Sequence, residues 1–322
     1  MSAPEVGAHA LETLVAAAAA APSMHNSQPW RFRTDPASRT IGIRTVAGRA
    51  TPLSDPRRRA QHLAIGAAVF NLRVAAAEAG WEPVVELLPD PCDPGLLATV
   101  ALHPGPADRS RHPRLYDAIA QRRSSRLPFT GRPVPEAIVA EMASGARAEG
   151  AGLYLPDIVG TRRLLAVTAE AERRNHLDEA RTRESRSWIV PPGTGPYGIP
   201  VTALGPRDAR ERMPLRDFTG ASRTRPVPAL PFERHAQLAL VCTGHDRPAD
   251  WLRAGQALER VLLLATAHGV RTSALYQALE WPDLRGALLR GRPGHAQFLI
   301  RFGYGPQGPP TPRAAVAEVT WK

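Results

Sequence analysis

Two segments of equal length constrain this 322-residue chain more than any other feature. Residues 66–80 and 255–269 both begin and end with glycine, and both are predominantly apolar. In the first, Ala67, Val69, Phe70, Leu72, Val74 and Ala75 to Ala77 leave hardly any polar face. A helix that is apolar nearly all round belongs in the interior. The first segment closes a long helix read over residues 55–80. That helix is opened by Asp55-Pro56, a capping side chain followed by proline at the first helical position. The second segment lies in a helix read over residues 248–269. Each is followed by a loop and then a strand, residues 97–102 in one case and 297–304 in the other.

The pairing extends further. A helix over residues 135–148 and a strand at 153–155 echo an N-terminal helix over residues 8–21 and a strand at Trp30 to Phe32. The period is not constant. Trp30 and Tyr154 stand 124 residues apart, Gly66 and Gly255 stand 189 apart, and the second half therefore carries about 65 extra residues. These fall at about 157–230, a region that contains a strongly charged helical stretch (157–186). It also contains an irregular one (190–205) with Pro191-Pro192-Gly193 and Gly195-Pro196-Tyr197-Gly198, and a proline cluster at 226–231. Long irregular insertions in compact domains are usually functional covers or disordered. Two tandem copies of one unit are what a fused dimer would leave, with residues 1–112 as the first half and 113–322 as the second. Further strands are read at residues 40–46, 84–88 and 235–242, and further helices at 113–121 and 283–290. Residues 104–113 read as a linker, and the tail ends in the alternation Val316, Val319, Trp321.

The composition excludes several classes. A hydrophobic content of 43% is that of an ordinary globular chain, and no apolar run is long enough to span a bilayer. The alanine-rich start has no basic n-region and carries Glu5 and Glu12, so it is not read as a signal sequence. The formal charge is +11, which raises the question of nucleic acid. The arginines are scattered, however, and the densest clusters, Arg57 to Arg59 and Arg122-Arg123, have no interleaved aromatics on which bases could stack. Lys322 is the only lysine, a usage that suggests a GC-rich genome more than a polyanionic partner. Cys92 and Cys242 fit neither a metal spacing nor a disulfide scaffold, so a reducing cytoplasm is expected. His25 has no second ligand nearby, and no Gly-x-Gly-x-x-Gly or Walker-type loop is present.

Between the N-terminal helix and the first strand runs Ala21-Pro-Ser-Met-His-Asn-Ser-Gln-Pro-Trp-Arg-Phe32. Pro22 and Pro29 bracket six residues that cannot be helical throughout. Five of the six are polar: Ser23, His25, Asn26, Ser27 and Gln28. On the residues alone two readings stand. The side chains either form turn hydrogen bonds that link the two elements or hold a planar ligand.

The stretch Pro22-Ser23-…-Asn26-…-Gln28-Pro29-Trp30 resembles the flavin-contacting loop of the nitroreductase family. In that family the loop crosses a homodimer interface to the FMN of the other subunit. With Met24-His25 inside, it is similar to the Acg branch, the fused nitroreductase-like proteins of actinobacteria. Arg122-Arg123-Ser124-…-Arg126-…-Phe129, followed by Pro133-Val134-Pro135, resembles the family's phosphate- and ribityl-binding motif. Guanidinium pairs suit phosphate oxygens, and a hydroxyl adds a neutral donor. The two motifs are complementary, because the first half has the loop without the arginines and the second has the arginines without the loop. Only one of a dimer's two sites can then be built.

The resemblance implies an α+β nitroreductase-like fold of two pseudo-repeats with a lid insertion. It implies one FMN at their interface, so that a monomer suffices for one site and a dimer is compatible. Ser23, His25, Asn26 and Gln28 would bond the ring. Arg122, Arg123, Ser124 and Arg126 would hold the phosphate end, with Arg313 in support. Tyr276 and Gln277, in the loop that matches the one beside the ring edge, complete the set. No side chain is assigned as catalytic, because the flavin carries the redox chemistry. The expected activity is an FMN-dependent oxidoreductase acting on a small-molecule donor or acceptor such as a quinone, a nitro compound or oxygen. A flavin-storing protein without turnover and a flavin-dependent tailoring dehydrogenase are the alternatives.

Overall fold

A computed structural model describes residues 7–105, 114–218 and 227–321. Most of the linker read at 104–113 and the start of the proline cluster at 226–231 lie outside the described residues. The first half runs α1 (Ala8–Ala19), β1 (Trp30–Asp35), β2 (Thr40–Thr45), α2 (Arg59–Glu78), β3 (Trp81–Leu87) and β4 (Leu96–Pro104). Then come α3 (Leu115–Gln121), α4 (Glu136–Ala148), β5 (Gly152–Tyr154), α5 (Ile158–Leu177) and α6 (Glu179–Ser187). Four two-residue strands follow: β6 (Ile189–Val190), β7 (Ile199–Pro200), β8 (Arg207–Asp208) and β9 (Ala229–Leu230). The chain continues with β10 (Gln237–Thr243), α7 (Pro248–Ala267), β11 (Arg271–Ala274), α8 (Pro282–Leu289) and β12 (His295–Gly303). It closes with a helical turn, α9 (Val316–Val319), and β13 (Thr320–Trp321).

The strands form two main sheets, ordered β13-β1-β2-β4-β3 and β11-β12-β10-β5. In the first, the pairing is antiparallel except at the β1 edge, where β13 adds in parallel with Phe32 opposite Thr320. α2 packs on the first sheet, α7 on the second, and the two helices pack on each other. Apolar periodicity explains each layer. Trp30 and Phe32 of β1 and Ile41 and Ile43 of β2 point inward at every second position and meet Leu14, Ile65 and Leu72. Ala239, Val241, Ile300 and Phe302 of the second sheet meet Val261, Leu264 and Met142. Its other face packs on α5 and α8 through Leu240, Leu299, Leu164 and Leu288.

The two apolar helices cross at their glycines. A Cβ on Gly66 would overlap the carbonyl oxygen of Leu252 and lie 3.0 Å from Cα of Gly255. A Cβ on Gly255 would overlap the carbonyl of Leu63 and lie 2.9 Å from Cα of Gly66. The contact is thus backbone against backbone, and it is reciprocal.

Several elements differ from the sequence reading. α2 begins at Arg59 rather than residue 55, because Arg58 takes a left-handed conformation (φ 58°) and breaks the turn. Asp55 still caps the helix from outside by accepting from the Gln61 amide at 3.1 Å. The charged stretch at 157–186 is two helices, not one. Asp178 leaves helical geometry and its carboxylate accepts from the amides of Ala180 and Arg181 to start the second. β11, with the sequence Arg-Thr-Ser-Ala, lacks the apolar alternation that marks a strand and was not foreseen. In the tail, the three-residue spacing of Val316 and Val319 builds a helical turn rather than a strand.

The glycine crossing makes a direct prediction. Gly66→Ala or Gly255→Ala forces the helices apart and should destabilise the protein by about 2–3 kcal/mol or more, as overpacked cores do. Gly48→Ala, where a Cβ meets nothing within 4 Å, should stay within about 0.5 kcal/mol of the parent. Urea denaturation of the three variants measures the difference.

Candidate functional site

The polar loop after α1 is strained. His25, Asn26 and Gln28 all have positive φ, at 53°, 56° and 47°, and such conformations are costly for residues with side chains. A set of hydrogen bonds holds them there. Ser23 Oγ accepts from the Gln28 amide at 2.9 Å. The Asn26 side-chain amide donates to the carbonyls of Pro196, Gly198 and Pro312 at 3.0–3.1 Å. Gln28 Nε2 donates to Pro196 at 2.6 Å, and its Oε1 accepts from the Ala314 amide at 3.0 Å. Arg313 donates to Asn26 Oδ1 at 2.7 Å and to the carbonyls of Ala20 and Ala21. Asn26, Gln28 and Arg313 therefore tie the loop to the insertion and the tail. Pro22, Ser23, Met24 and His25 are left to face the cleft.

The arginine motif follows α3. Arg122 is buried, with Nη2 donating to Ala20 O at 3.2 Å and Nε 3.3 Å from the carboxylate of Glu259. Arg123 lies beside it, half-buried, and donates to its carbonyl at 2.8 Å. Ser124 is exposed and bridges to Thr272 at the head of β11, and the Ser125 amide donates to Thr272 O at 2.8 Å. Downstream, Arg301 of β12 is fully buried. It pairs with Glu233, donates to Leu127 O and stacks on Phe129 with its guanidinium 3.8 Å from the ring centre. That clamp fixes the motif against the second sheet.

These segments enclose two adjoining cavities. The first, about 140 Å³, is mostly apolar; Ala60, Leu63 and Ala64 of α2 and Leu258 and Leu262 of α7 wall it, with Phe298 and Ile300 of β12. Tyr276 and Gln277 also line it. The second, about 270 Å³, is lined by Arg122, Arg123, Arg126 and Arg313 together with Ser124, Asn26 and Thr311. Pro22, Ser23, His25, Ser124, Arg126 and Ile199 belong to both. A mostly apolar slot thus opens beside a chamber of four guanidinium groups.

Burial sets the charge states. His25 is held well below the usual imidazole value by desolvation, with Arg216 and Arg126 repelling a further positive charge, so its ring is neutral at pH 7. Its Nε2 is buried without a partner. Arg126 is pushed down to about 10 by burial and by Arg216, and donates to Ala203 O at 2.8 Å. Arg313 is pushed down to about 9, chiefly by burial and then by Arg122. Arg216 reaches the slot from the insertion and pairs with Glu280, whose carboxyl burial raises to about 7. Tyr276 is backed by Arg59, 5.1 Å above its ring, and by Phe298; burial raises its hydroxyl, which has no partner. Gln277 donates to Pro214 O at 2.9 Å.

Of the residues expected from sequence, Tyr276 and Gln277 line the slot, and Arg122, Arg123, Asn26 and Arg313 line the chamber. Ser23, His25, Ser124 and Arg126 line both, and Gln28 lines neither. In the irregular stretch, Ile199 lines both cavities, whereas Tyr197 turns away. Its hydroxyl accepts from Arg49, whose guanidinium lies 4.0 Å over the ring centre. The insertion residues that do reach the slot, Leu215, Arg216 and Phe218, were not anticipated. The only signal they offer is Phe218, an isolated aromatic in a polar run. Among the described residues no group of His, Cys, Asp and Glu is arranged to hold a metal. No helix there is long and apolar enough to cross a membrane.

Comparison with known proteins gives a consistent set of relatives. Two Mycobacterium tuberculosis proteins carry the name "Putative NAD(P)H nitroreductase". One is 34% identical over 324 residues, spanning 97% of this chain and 91% of its own. The other, acg, is 30% identical over 319 residues, spanning 96% and 94%. A solved structure, the FMN- and NADPH-dependent nitroreductase NfnB from Sphigopyxis sp. strain HMH, has 16% identity and a TM-score of 0.38. It covers 65% of this chain and 98% of its own. No family model matches the chain.

The neutral His25 makes stability depend on pH. The unfolded chain protonates near 6.5 and the folded one well below it. The contribution is therefore complete above pH 6.5 and is lost as pH falls from 6.5 toward the depressed folded value. His25→Asn, which suits the positive φ, should be less sensitive to a drop from pH 7.5 to 5.5 than the parent. Urea midpoints at the two pH values report this, and the His25 ring signals of the parent should titrate with a midpoint well below 6.5.

Proposed function

The chain belongs to the nitroreductase family, and from that premise we propose that it is an FMN-binding oxidoreductase holding one FMN per chain. The observation that carries this reading is the apolar slot opening directly into the arginine chamber. A ligand for it needs a flat apolar part joined to an anionic one, which is the outline of FMN. The residues fit the group. The unpartnered His25 Nε2 and Tyr276 Oη offer hydrogen bonds to a heteroaromatic ring, the alanines of α2 leave room for its plane, and four guanidinium groups match a phosphate. Bound there, FMN would supply the electron transfer that no side chain in the slot provides. The protein's share is to orient the ring through Ser23 and His25, to hold the phosphate through Arg122, Arg123, Ser124 and Arg126, and to exclude water. Asn26, Gln28 and Arg313 act one layer further out, by fixing the loop.

In this reading the chain is a fused pseudo-dimer of the Acg type, divided near residue 112. The reciprocal contact of Gly66 with Gly255 supports that division, since a two-fold interface makes each contact twice. The insertion is the cover, with Ile199, Leu215, Arg216 and Phe218 over the slot. Small quinones, nitro compounds or oxygen are the acceptors that fit so covered a site. A second reading, a flavin holder without turnover, is favoured by the ion pair of Arg216 with Glu280, which closes the insertion onto the body. NADH, NADPH and quinone assays of the purified protein separate the two.

The protein should purify yellow with one FMN per chain, measured by the flavin absorbance of a denatured sample against protein concentration. Arg123→Ala removes a charge-assisted bond worth roughly 1.5–3 kcal/mol and should weaken FMN binding about ten- to a hundredfold. Arg57→Ala, remote from both cavities, should leave it unchanged. Equal losses in a fluorescence titration would instead indicate a non-specific effect of net charge.

A further inference from the structure

One buried acid stands behind the arginine chamber, held only loosely by its polar neighbours. Glu259, midway along α7, is 0% exposed. Its Oε1 lies 3.3 Å from Arg122 Nε, yet neither carboxylate oxygen accepts a hydrogen bond of good geometry. Around it, Arg122 Nε, Arg313 Nε and Asn71 Oδ1 are also buried without partners. The groups that face it are Arg122 from the end of α3, Arg313 from the tail and the uncharged Asn71 from α2. From the end of α1 come only carbonyls, Ala17 O accepting from Asn71 and Ala20 O from Arg122 and Arg313. On the α4 side, Arg73 and Arg260 are paired with Glu149. Arg122 is therefore shared between one inner carboxylate and the chamber whose wall it forms.

Resting on the reading of that chamber as the FMN phosphate site, we propose that Glu259 is a positioning residue for Arg122 and takes up a proton when the phosphate binds. In the empty chamber the carboxylate balances Arg122 and keeps the guanidinium at the chamber wall. A phosphate drawn to Arg122 supplies a stronger, better hydrogen-bonded counter-charge. The carboxylate is then a buried anion left with the Asn71 amide and no exclusive cation, an arrangement proteins avoid by neutralising the group. The balance is simple. One proton passes from solvent to a Glu259 oxygen, the Arg122–carboxylate pair is exchanged for an Arg122–phosphate pair, and no bond within the ligand changes. Burial already pushes this carboxyl up to about 7, with Arg122, Asn71 and Arg313 pulling it down. Weakening the pull of Arg122 raises it further. Binding should therefore be tightest below pH 7 and weaken as pH rises through and above that value.

Titration calorimetry of FMN into the FMN-free protein at pH 8, in Tris and in HEPES, reads proton uptake from the difference in apparent heats. At that pH the ligand's phosphate is fully dianionic and contributes none. The wild type should take up close to one proton per FMN, with Kd weakening about fivefold between pH 7 and 8. Over that range, below the values of Arg313 and Arg126, Glu259→Gln should take up close to none and show a nearly flat profile, and Glu259→Asp should restore the uptake. Riboflavin, which lacks the phosphate, should bind the wild type without uptake, so the proposal remains testable even if the glutamine variant does not fold. FMN binding without proton uptake, or equal uptake in the wild type and Glu259→Gln, overturns the role of Glu259 and leaves the FMN reading intact. Failure of FMN to bind at all overturns both.

Discussion

The rest of the molecule depends on the approach of two helix backbones at Gly66 and Gly255. With no side chain between them, α2 and α7 come close enough to act as one central slab, each carrying its own sheet on its outer side. On both helices the residues about a turn away become walls of the slot: Ala60, Leu63 and Ala64 on one, Leu258 and Leu262 on the other. One turn beyond the crossing on α7, Glu259 is carried against Arg122. A wider separation would open the slot, loosen the acid from its arginine and uncouple the two sheets together. Packing energy here and the geometry of the cavities are the same interaction.

Against this rigid slab the site is finished by strained and irregular chain. Three left-handed residues in the loop after α1 are affordable only because Asn26, Gln28 and Arg313 each make several bonds to fixed carbonyls or amides. That arrangement keeps the Asn26 and Gln28 side chains off the slot while leaving a neutral His25 among its lining. Arg301 does the corresponding task for the arginine motif, gripping Glu233 and Leu127 from the second sheet.

What the sequence disclosed, and what it hid, follows from how local each determinant is. The interior helices were legible because an all-apolar helix has no other place to go. The loop and the arginine motif stood out as sets of polar and basic residue types, and most of their members line the two adjoining cavities. The positions within those sets were less so. Asn26 and Gln28 read as ring contacts, yet their partners are the backbone of residues 196–198 and 312–314, and no local pattern encodes a partner so far along the chain. Likewise Arg216 and Phe218 reach the slot because of how the insertion folds back, which depends on Glu280, Glu172 and Pro214. β11 is a strand because β12 offers it an edge, not because Arg-Thr-Ser-Ala favours one.

The bonds from the polar loop after α1 to the tail also set an order of events on the ribosome. Residues 23–28 are made early, but their conformation is secured only by carbonyls and amides at 196–198 and 312–314, and β1 gains its last neighbour only when residues 320–321 are in place. A nascent chain that already contains both central helices still lacks a finished site. Under the proposed FMN reading, capture of the ligand is thus deferred until residues 312–321 have emerged, and a chain cut short before them should not carry off a flavin.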